Sequence, residues 1–521
     1  MLPIWFYIFH VICTILRFIV HYTYALFYCG KGKIVPKVKN PLLLKSAAKL
    51  AEEIREGTIK SEEIIRAYME RILEVEPYIN ATVERCFSDA LEEAKKVDSL
   101  IASGSYTKEQ LAKEKPLLGI PFSVKVLLLV KGLKCTGGSV LFKDLKATED
   151  SPGVAIMKKA GAIVIATTNT AETGMDFETH NILHGKTCNP FDTHKTSGGS
   201  SGGESALIAA SGSVLGLGND LLGSIRVPCH FTGLFGHKPT MGLVPNWGCH
   251  PTPDPPMAHY LYTGPMCRYA EDLIVSMKVL SSESGVPINF GQKVDFKNLK
   301  VYYMKEIRSP MIAPVKSEIT FAVESAVSYF TKSYDLEAKE VKMISLYDAN
   351  RAAINLIMNG VKDLKATLTA GKGNFINEKL DFVKFLFGKS TLSKGPLVVL
   401  NGSKIKLFLD KNKAAYYEEL VKSWEKEFDN ILDENAILLM PTMPMTAPYH
   451  SEITMFLPSS CYTSIFNVLG LPSTQCPLGY NSDGMPYGIQ IVGRKNNDAL
   501  TIACAVELEK AFGGWKDPGS L

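Results

Sequence analysis

Charge of one sign never accumulates in this 521-residue chain: 57 basic and 53 acidic residues leave a net charge of +4, with no long single-sign run between Asn40 and the C-terminus. A nucleic-acid interface needs a basic patch or stripe, so nucleic acid is not an expected partner. Cysteine is equally unpatterned. Eleven are scattered from Cys13 to Cys504, an odd number without a Cys-x-x-Cys pair, which argues against a disulfide framework or a zinc ribbon and for reduced, mostly buried thiols. A His-Glu-x-x-His zinc helix and a Walker phosphate loop are missing. Gly216-Leu-Gly218 begins a dinucleotide-like pattern but lacks the third glycine. Internal repeats and low-complexity tracts are absent, and at 46% hydrophobic and 21% charged residues the chain can bury a large core.

A long apolar and aromatic run stands at the start, almost unbroken from Leu2 to Tyr28 and interrupted by His10, Arg17 and His21. As a helix this stretch is about 40 Å long, enough to cross a bilayer. Trp5, Phe6 and Tyr7 at one end and Phe27 and Tyr28 at the other are placed as interfacial anchors. Arg17 counts against a clean span, at roughly 2.5–3.5 kcal/mol if it sits mid-membrane. A cleaved signal peptide lacks its basic start and its small-residue cleavage site here, which favours an anchor. Lys31, Lys33, Lys37 and Lys39 follow at once, and the positive-inside rule puts that side, with the rest of the chain, in the cytosol. The expected division is a membrane helix over 1–29, a basic linker over 30–44 and one catalytic domain over 45–521.

Beyond Asn40 the periodicity predicts helices to about Ser103, with Ser61 capping one of them. A helix from Val154 feeding a strand Ala162–Thr167 then sets an α-then-β alternation that recurs along the chain and points to an α/β fold. Further strands are predicted at Leu299–Met304, Ile437–Pro441 and Tyr487–Gly493, and a closing helix at 498–512. Residues 246–265 read as a Pro- and Gly-rich loop. Between Asn350 and Glu427 the pattern is helical, and Phe382, Phe385, Leu386 and Phe387 suggest either a core helix or the wall of an apolar substrate channel.

The chemistry concentrates in Thr196-Ser-Gly-Gly-Ser-Ser-Gly-Gly-Glu204 and in Gly223-Ser-Ile-Arg-Val-Pro228. Glycine permits close backbone approach, so a Ser/Gly cluster can gather hydroxyls and amide N–H groups around one substrate atom. The small-residue helix after it points its amino end back at Ser200 and Ser201. A serine is a weak nucleophile until a base activates it. Lys125 closes the short apolar strand Pro116–Lys125; burial among uncharged neighbours lowers a lysine's pKa toward a neutral amine able to serve as that base.

These segments, together with Ser123-Val-Lys125 and Thr232-Gly-Leu-Phe-Gly-His-Lys-Pro-Thr240, resemble the amidase signature hydrolases over about residues 45 to 515. Within that family the N-terminal apolar segment and Phe512-Gly-Gly-Trp515 are most similar to the membrane-anchored fatty-acid amide hydrolases. The resemblance implies a large mixed β-sheet covered by helices on both faces. It also implies a Ser-Ser-Lys triad: Ser224 as nucleophile, Ser200 as bridging serine on a cis peptide, Lys125 as general base, and the main-chain amides of Leu221, Leu222, Gly223 and Ser224 as oxyanion donors. No cofactor and no metal are implied; the implied partners are a lipid amide and the bilayer, and a homodimer is left open. Two departures stand out. Leu222 and Asn219 replace the family's usual Gly and Thr or Ser, and a positive φ at Leu222 costs about 1–2 kcal/mol. Val126 stands where relatives commonly carry an acidic or polar residue.

Three rival readings remain. Gly199-Ser-Ser201-Gly-Gly203 also fits the Gly-x-Ser-x-Gly elbow of α/β-hydrolases, with Ser201 as nucleophile, although a polar loop rather than an apolar strand precedes it. The second is a catalytically impaired amidase fold acting as a binding module, and the third an amidase of non-lipid amides; a glutamine-dependent amidotransferase subunit of the same family is disfavoured, because such a subunit has no evident need for a bilayer anchor.

Overall fold

The computed structural model describes residues 4–309, 311–343, 346, 348–405 and 409–521, the side chains of residues 4–7 and 411 excepted. Leu2, where the apolar run begins, lies outside the described residues, as do the side chains of Trp5, Phe6 and Tyr7.

An 11-stranded mixed sheet organises the chain. From one edge to the other its strands are Thr82–Arg85, Ile163–Thr168, Pro121–Lys125, Leu215–Asp220, Tyr262–Cys267, Phe235–Lys238, Ser473–Tyr480, Pro486–Val492, Ala436–Pro441, Lys300–Tyr303 and Ala338–Glu340. Pro121–Lys125 runs parallel to both its neighbours, and so does Lys300–Tyr303; the remaining pairings are antiparallel. Every residue of Ile163–Thr168, Leu215–Asp220 and Ala436–Pro441 is buried. Successive side chains point to opposite faces, so both faces of the sheet are covered there. The expected fold class is the one observed.

The α/β alternation lands where the pattern placed it: the helix Pro152–Lys159 feeds Ile163–Thr168, and Asp498–Phe512 closes the chain. Two details differ. The helix Ser61–Ile79 starts at Ser61 itself, and the Asp98 carboxylate, not Ser61, accepts from the Ser61 and Glu62 amides at 2.7 and 3.1 Å. Within the expected loop over 246–265 lie the short helix Pro255–His259 and the start of strand Tyr262–Cys267.

The N-terminal helix Ile4–Tyr28 exposes Ile8, Val11, Ile12, Ile15, Ile19, Leu26 and Phe27 along one side. Its segment Ile8–Tyr28 is long and apolar enough to cross a membrane. Its polar side is docked on the globular body. Arg17 is buried and donates to the carbonyls of Met311 and Met455, His21 Nδ1 lies 2.8 Å from Glu452 Oε1, and the Tyr28 ring stacks on Tyr449 at 5.4 Å. Arg17 is thus met by protein carbonyls at Nε and Nη2, while Nη1 has no partner among the described residues, which lessens the cost that the charge would carry in lipid. Residues 30–44 do not hang free as a linker. Val35, Val38 and Leu43 are buried in the main core, and the Val38 amide donates to Asp517, while the four lysines point outward.

Candidate active site

Lys125 ends its strand and Asn219 lies at the end of the parallel neighbour Leu215–Asp220. The site therefore opens beyond the carboxyl ends of adjacent parallel strands, the usual crevice for ligands of open α/β sheets. Lys125 has no exposed surface, and its Nζ lies 2.7 Å from Ser200 Oγ and 2.7 Å from Asn219 Oδ1. Burial lowers its pKa to about 7, against the weaker upward pull of Cys249, Asp220 and Glu204. A large fraction of this amine is neutral at physiological pH.

Glu204, on the helix Gly202–Ala209, is the buried acid of the Ser/Gly cluster. Its carboxyl accepts from Ser123 Oγ at 2.5 Å and Thr168 Oγ1 at 2.7 Å, yet burial raises its pKa to about 8. Gly216 makes room for it, because a Cβ there would come within 2.2 Å of Glu204 Oε2. The glycines dismissed as a broken dinucleotide pattern are packing glycines.

Ser200 follows a cis Gly199–Ser200 peptide. Its carbonyl accepts from the Ala171 amide, Thr170 Oγ1 and Thr179 Oγ1, at 3.3, 2.9 and 3.3 Å, so the backbone under the hydroxyl is held from three sides. Ser201 points elsewhere. Its hydroxyl donates to the Asn219 carbonyl at 3.3 Å, and it does not line the pocket. Ser201 is a bracing residue here, which removes the footing of the nucleophile elbow.

The turn carrying Ser224 hangs from Asp220. That carboxylate accepts from the Gly223 amide at 2.7 Å and the Ile225 amide at 3.1 Å, and from Arg226 Nε and Nη2 and Asn467 Nδ2 at 2.9–3.1 Å. Burial opposes its charge, but the Arg226 guanidinium and these hydrogen bonds hold its pKa down at about 2. Arg226 in turn donates to the Thr463 carbonyl and to Gln490 and Asn467.

Two expectations about this turn are corrected. Leu222 does not take a positive φ; Gly223 does, at +132°, where a Cβ would also strike Thr463 Oγ1 at 2.4 Å. The Leu222 exchange therefore carries no backbone penalty of that kind. The Gly223 amide, expected as an oxyanion donor, is committed to Asp220. The amides of Leu221, Leu222 and Ser224 have no protein acceptor among the described residues.

Ser200 and Ser224 line one pocket with about 520 Å³ of empty space, part of it open to solvent. Leu127, Met175, Leu221, Met257, Leu261 and Leu368 form its apolar wall, and among the described residues no charged side chain lines it. From the 350–427 region it is Thr367 and Leu368 that reach this wall. Phe382, Leu386 and Phe387 are exposed on the outside, and Phe385 packs on a satellite cluster around Leu397. The stretch 382–387 is therefore neither core helix nor pocket wall; from this region the pocket is reached instead by the helix Leu364–Thr369. Asn219, which the sequence marks only as a departure, is a direct partner of the lysine, and no local sequence signal points to that contact.

A buried amine at hydrogen-bond distance from one serine, with a second serine in the same pocket beside free main-chain amides, can carry out acyl transfer. Comparison with known proteins agrees. The Amidase family profile matches residues 63–502, and the chain belongs to that family. Fatty-acid amide hydrolase 2-A of Danio rerio is 37% identical over 492 residues, covering 93% of this chain and 92% of the relative. Fatty-acid amide hydrolase 2 of Homo sapiens is 35% identical over 491 residues, at 93% and 92% coverage. A solved structure titled fatty acid amide hydrolase superposes with a TM-score of 0.73 at 22% identity, over 91% of this chain and 86% of that one, and so shares the fold. The chain is an amidase, a hydrolase of amide bonds.

Proposed function

We propose that this amidase cleaves lipid amides, such as fatty-acid amides and N-acyl ethanolamines, to a fatty acid and an amine. It does so at a cytosol-facing domain held to a membrane by the helix within residues 1–29, with 45–521 as the catalytic unit. The observation that carries the substrate class is the uncharged Leu/Met/Pro wall around Ser200 and Ser224. Apolar surface removed from water there contributes roughly 0.8 kcal/mol per methylene, which rewards a long acyl chain. A charged amide such as glutamine finds no counter-ion in such a pocket.

In this reading neutral Lys125 takes the proton of Ser200 while Ser200 takes that of Ser224, and Ser224 Oγ forms the new bond to the carbonyl carbon. The amides of Leu221, Leu222 and Ser224 receive the oxyanion, and Gly223 contributes the turn that aims them. The C–N bond then breaks as the proton returns through Ser200 to the leaving nitrogen, giving an acyl ester on Ser224 that water hydrolyses.

A fluorophosphonate probe and an acyl-length series test it. Wild-type protein labels at a single serine, Ser224→Ala does not label, and Lys125→Ala labels about 10²–10⁴-fold more slowly. kcat/KM climbs with acyl length. Labelling that survives in Ser224→Ala overturns the triad; equal turnover of short, soluble amides and long-chain ones overturns the lipid reading; no labelling of wild type leaves a binding module.

A further inference from the structure

Asn219 occupies an unusual place. It has 5% of its surface exposed, its backbone is locked in the sheet opposite Thr263, and its carbonyl accepts from Ser201 Oγ. Its side chain touches two groups. Oδ1 is 2.7 Å from Lys125 Nζ, and Nδ2 donates to Cys249 Sγ at 3.7 Å. With Nδ2 engaged by the Cys249 sulfur, the carbonyl end faces the lysine.

We propose that Asn219, steadied by Cys249, is the positioning residue that turns the Lys125 amine so that its lone pair faces Ser200. The inference rests on Lys125 acting as the base. A neutral lysine has two N–H bonds and one lone pair, and its Nζ meets two partners, Ser200 Oγ and Asn219 Oδ1. An amide oxygen only accepts. One lysine N–H is therefore spent on Asn219, and this rotation of the amine lets the lone pair take the Ser200 proton. Cys249 is the group that keeps the amide from flipping: its S–H points to the Asn246 carbonyl at 3.9 Å, which leaves the sulfur as a weak acceptor for Nδ2. Burial raises its pKa to about 11, so it stays a thiol.

The same contact sets the charge state of the base. A carbonyl acceptor stabilises an ammonium more than an amine, because a charge-assisted hydrogen bond is the stronger one. Asp220 from the same turn, Glu204 from the helix behind and Cys249 from the facing loop are the titratable groups around Lys125. With Asp220 tied to Arg226 and Glu204 largely protonated at neutral pH, Asn219 is the polar contact that remains adjustable.

The test is the pH profile of kcat/KM for full-length wild type, Asn219→Leu and Asn219→Asp, with thermal unfolding measured in parallel. The acid limb of wild type lies near pH 7. Leucine removes the acceptor, so the limb moves down by about one pH unit while kcat at its plateau falls about tenfold, with KM within about twofold. Aspartate at the same place favours the ammonium, so the limb moves up by about one unit or more. Shifts of opposite sign are something a merely space-filling side chain cannot produce. If Asn219→Leu fails to fold, Asn219→Val replaces it: it likewise removes the acceptor, so the acid limb again moves down and plateau kcat falls with KM within about twofold. Acid limbs coincident with wild type overturn the inference, provided Lys125→Ala is inactive. Activity retained in Lys125→Ala overturns the triad instead.

Discussion

Two regions of this molecule invert the usual distribution of polarity, and they do so in opposite directions. Around the site, Lys125, Glu204, Asp220 and Arg226 have no exposed surface, yet each charge or acid has named partners. Around the helix Glu378–Leu386 and along Ile4–Tyr28, large apolar side chains stand in the open: Leu386 is 68% exposed, Phe387 73% and Leu26 81%. Buried charge costs folding energy unless fully paired, so the first region must be cross-braced to exist. Exposed oil costs little in folding but adheres to other apolar matter, so the second is free to vary in packing and is suited to a lipid surface. One region has exact geometry as its function, the other mere apolarity.

The sharpest way to break that contrast is to cut the brace. Asp220→Asn leaves Arg226 buried without its carboxylate, and stability falls by about 3–5 kcal/mol in denaturant unfolding. Pairing it with Arg226→Met, which removes the orphaned charge, recovers part of the stability. Activity stays low in the double variant, because the Gly223 amide has lost its charged acceptor. An unfolding midpoint unchanged in Asp220→Asn would show that the ion pair is no brace.

A milder change addresses the other region. Leu386→Ser with Phe387→Ser leaves the unfolding free energy within about 0.5 kcal/mol, since neither side chain is packed. The same pair raises KM for a long-chain amide presented in phosphatidylcholine vesicles by about tenfold or more, since full insertion of an apolar side chain into lipid is worth roughly 1.5–3 kcal/mol and even partial loss at two positions exceeds about 1.4 kcal/mol. KM for a short, soluble amide does not move. Loss of stability, or an equal loss on both substrates, would place these residues in the core of the enzyme instead.

How much of this was legible in the sequence follows the same divide. Local signals read well: the helix Asp498–Phe512, the strand ending on Lys125 and the Ser/Gly cluster each rest on neighbours in sequence. What stayed hidden depended on contacts across the fold. The strand Leu215–Asp220, Leu-Gly-Leu-Gly-Asn-Asp, has a composition poor in strand formers, because Gly216 answers to the bulk of Glu204 and Gly218 to Met266, Ser201 and Ile225 rather than to β propensity. Asn219 meets a lysine 94 positions away, which no periodicity reveals. Arg17 read as a cost in lipid because its carbonyl partners, at Met311 and Met455, lie some three to four hundred residues along the chain. Phe382 and Leu386 read as core or channel because apolarity alone does not say whether a helix faces inward or out.

The finest comparison lies inside the site, between two adjacent residues of the turn. Gly223 carries the positive φ and presses on Thr463, so its lack of a side chain is obligatory. Leu222 is half-buried, packs against apolar neighbours and has its carbonyl held by Thr463 Oγ1 at 2.5 Å. The turn's shape is therefore set by Asp220, Gly223 and Thr463, and the Leu222 side chain is a matter of packing. Leu222→Gly, which restores the family's usual residue, should cost about 1 kcal/mol or less in stability and change kcat by less than about threefold. Stopped assays with the same long-chain amide suffice to measure it. A rate gain of tenfold or more would show that the leucine distorts the oxyanion amides after all, and that the braced region is less exactly built than its hydrogen bonds imply.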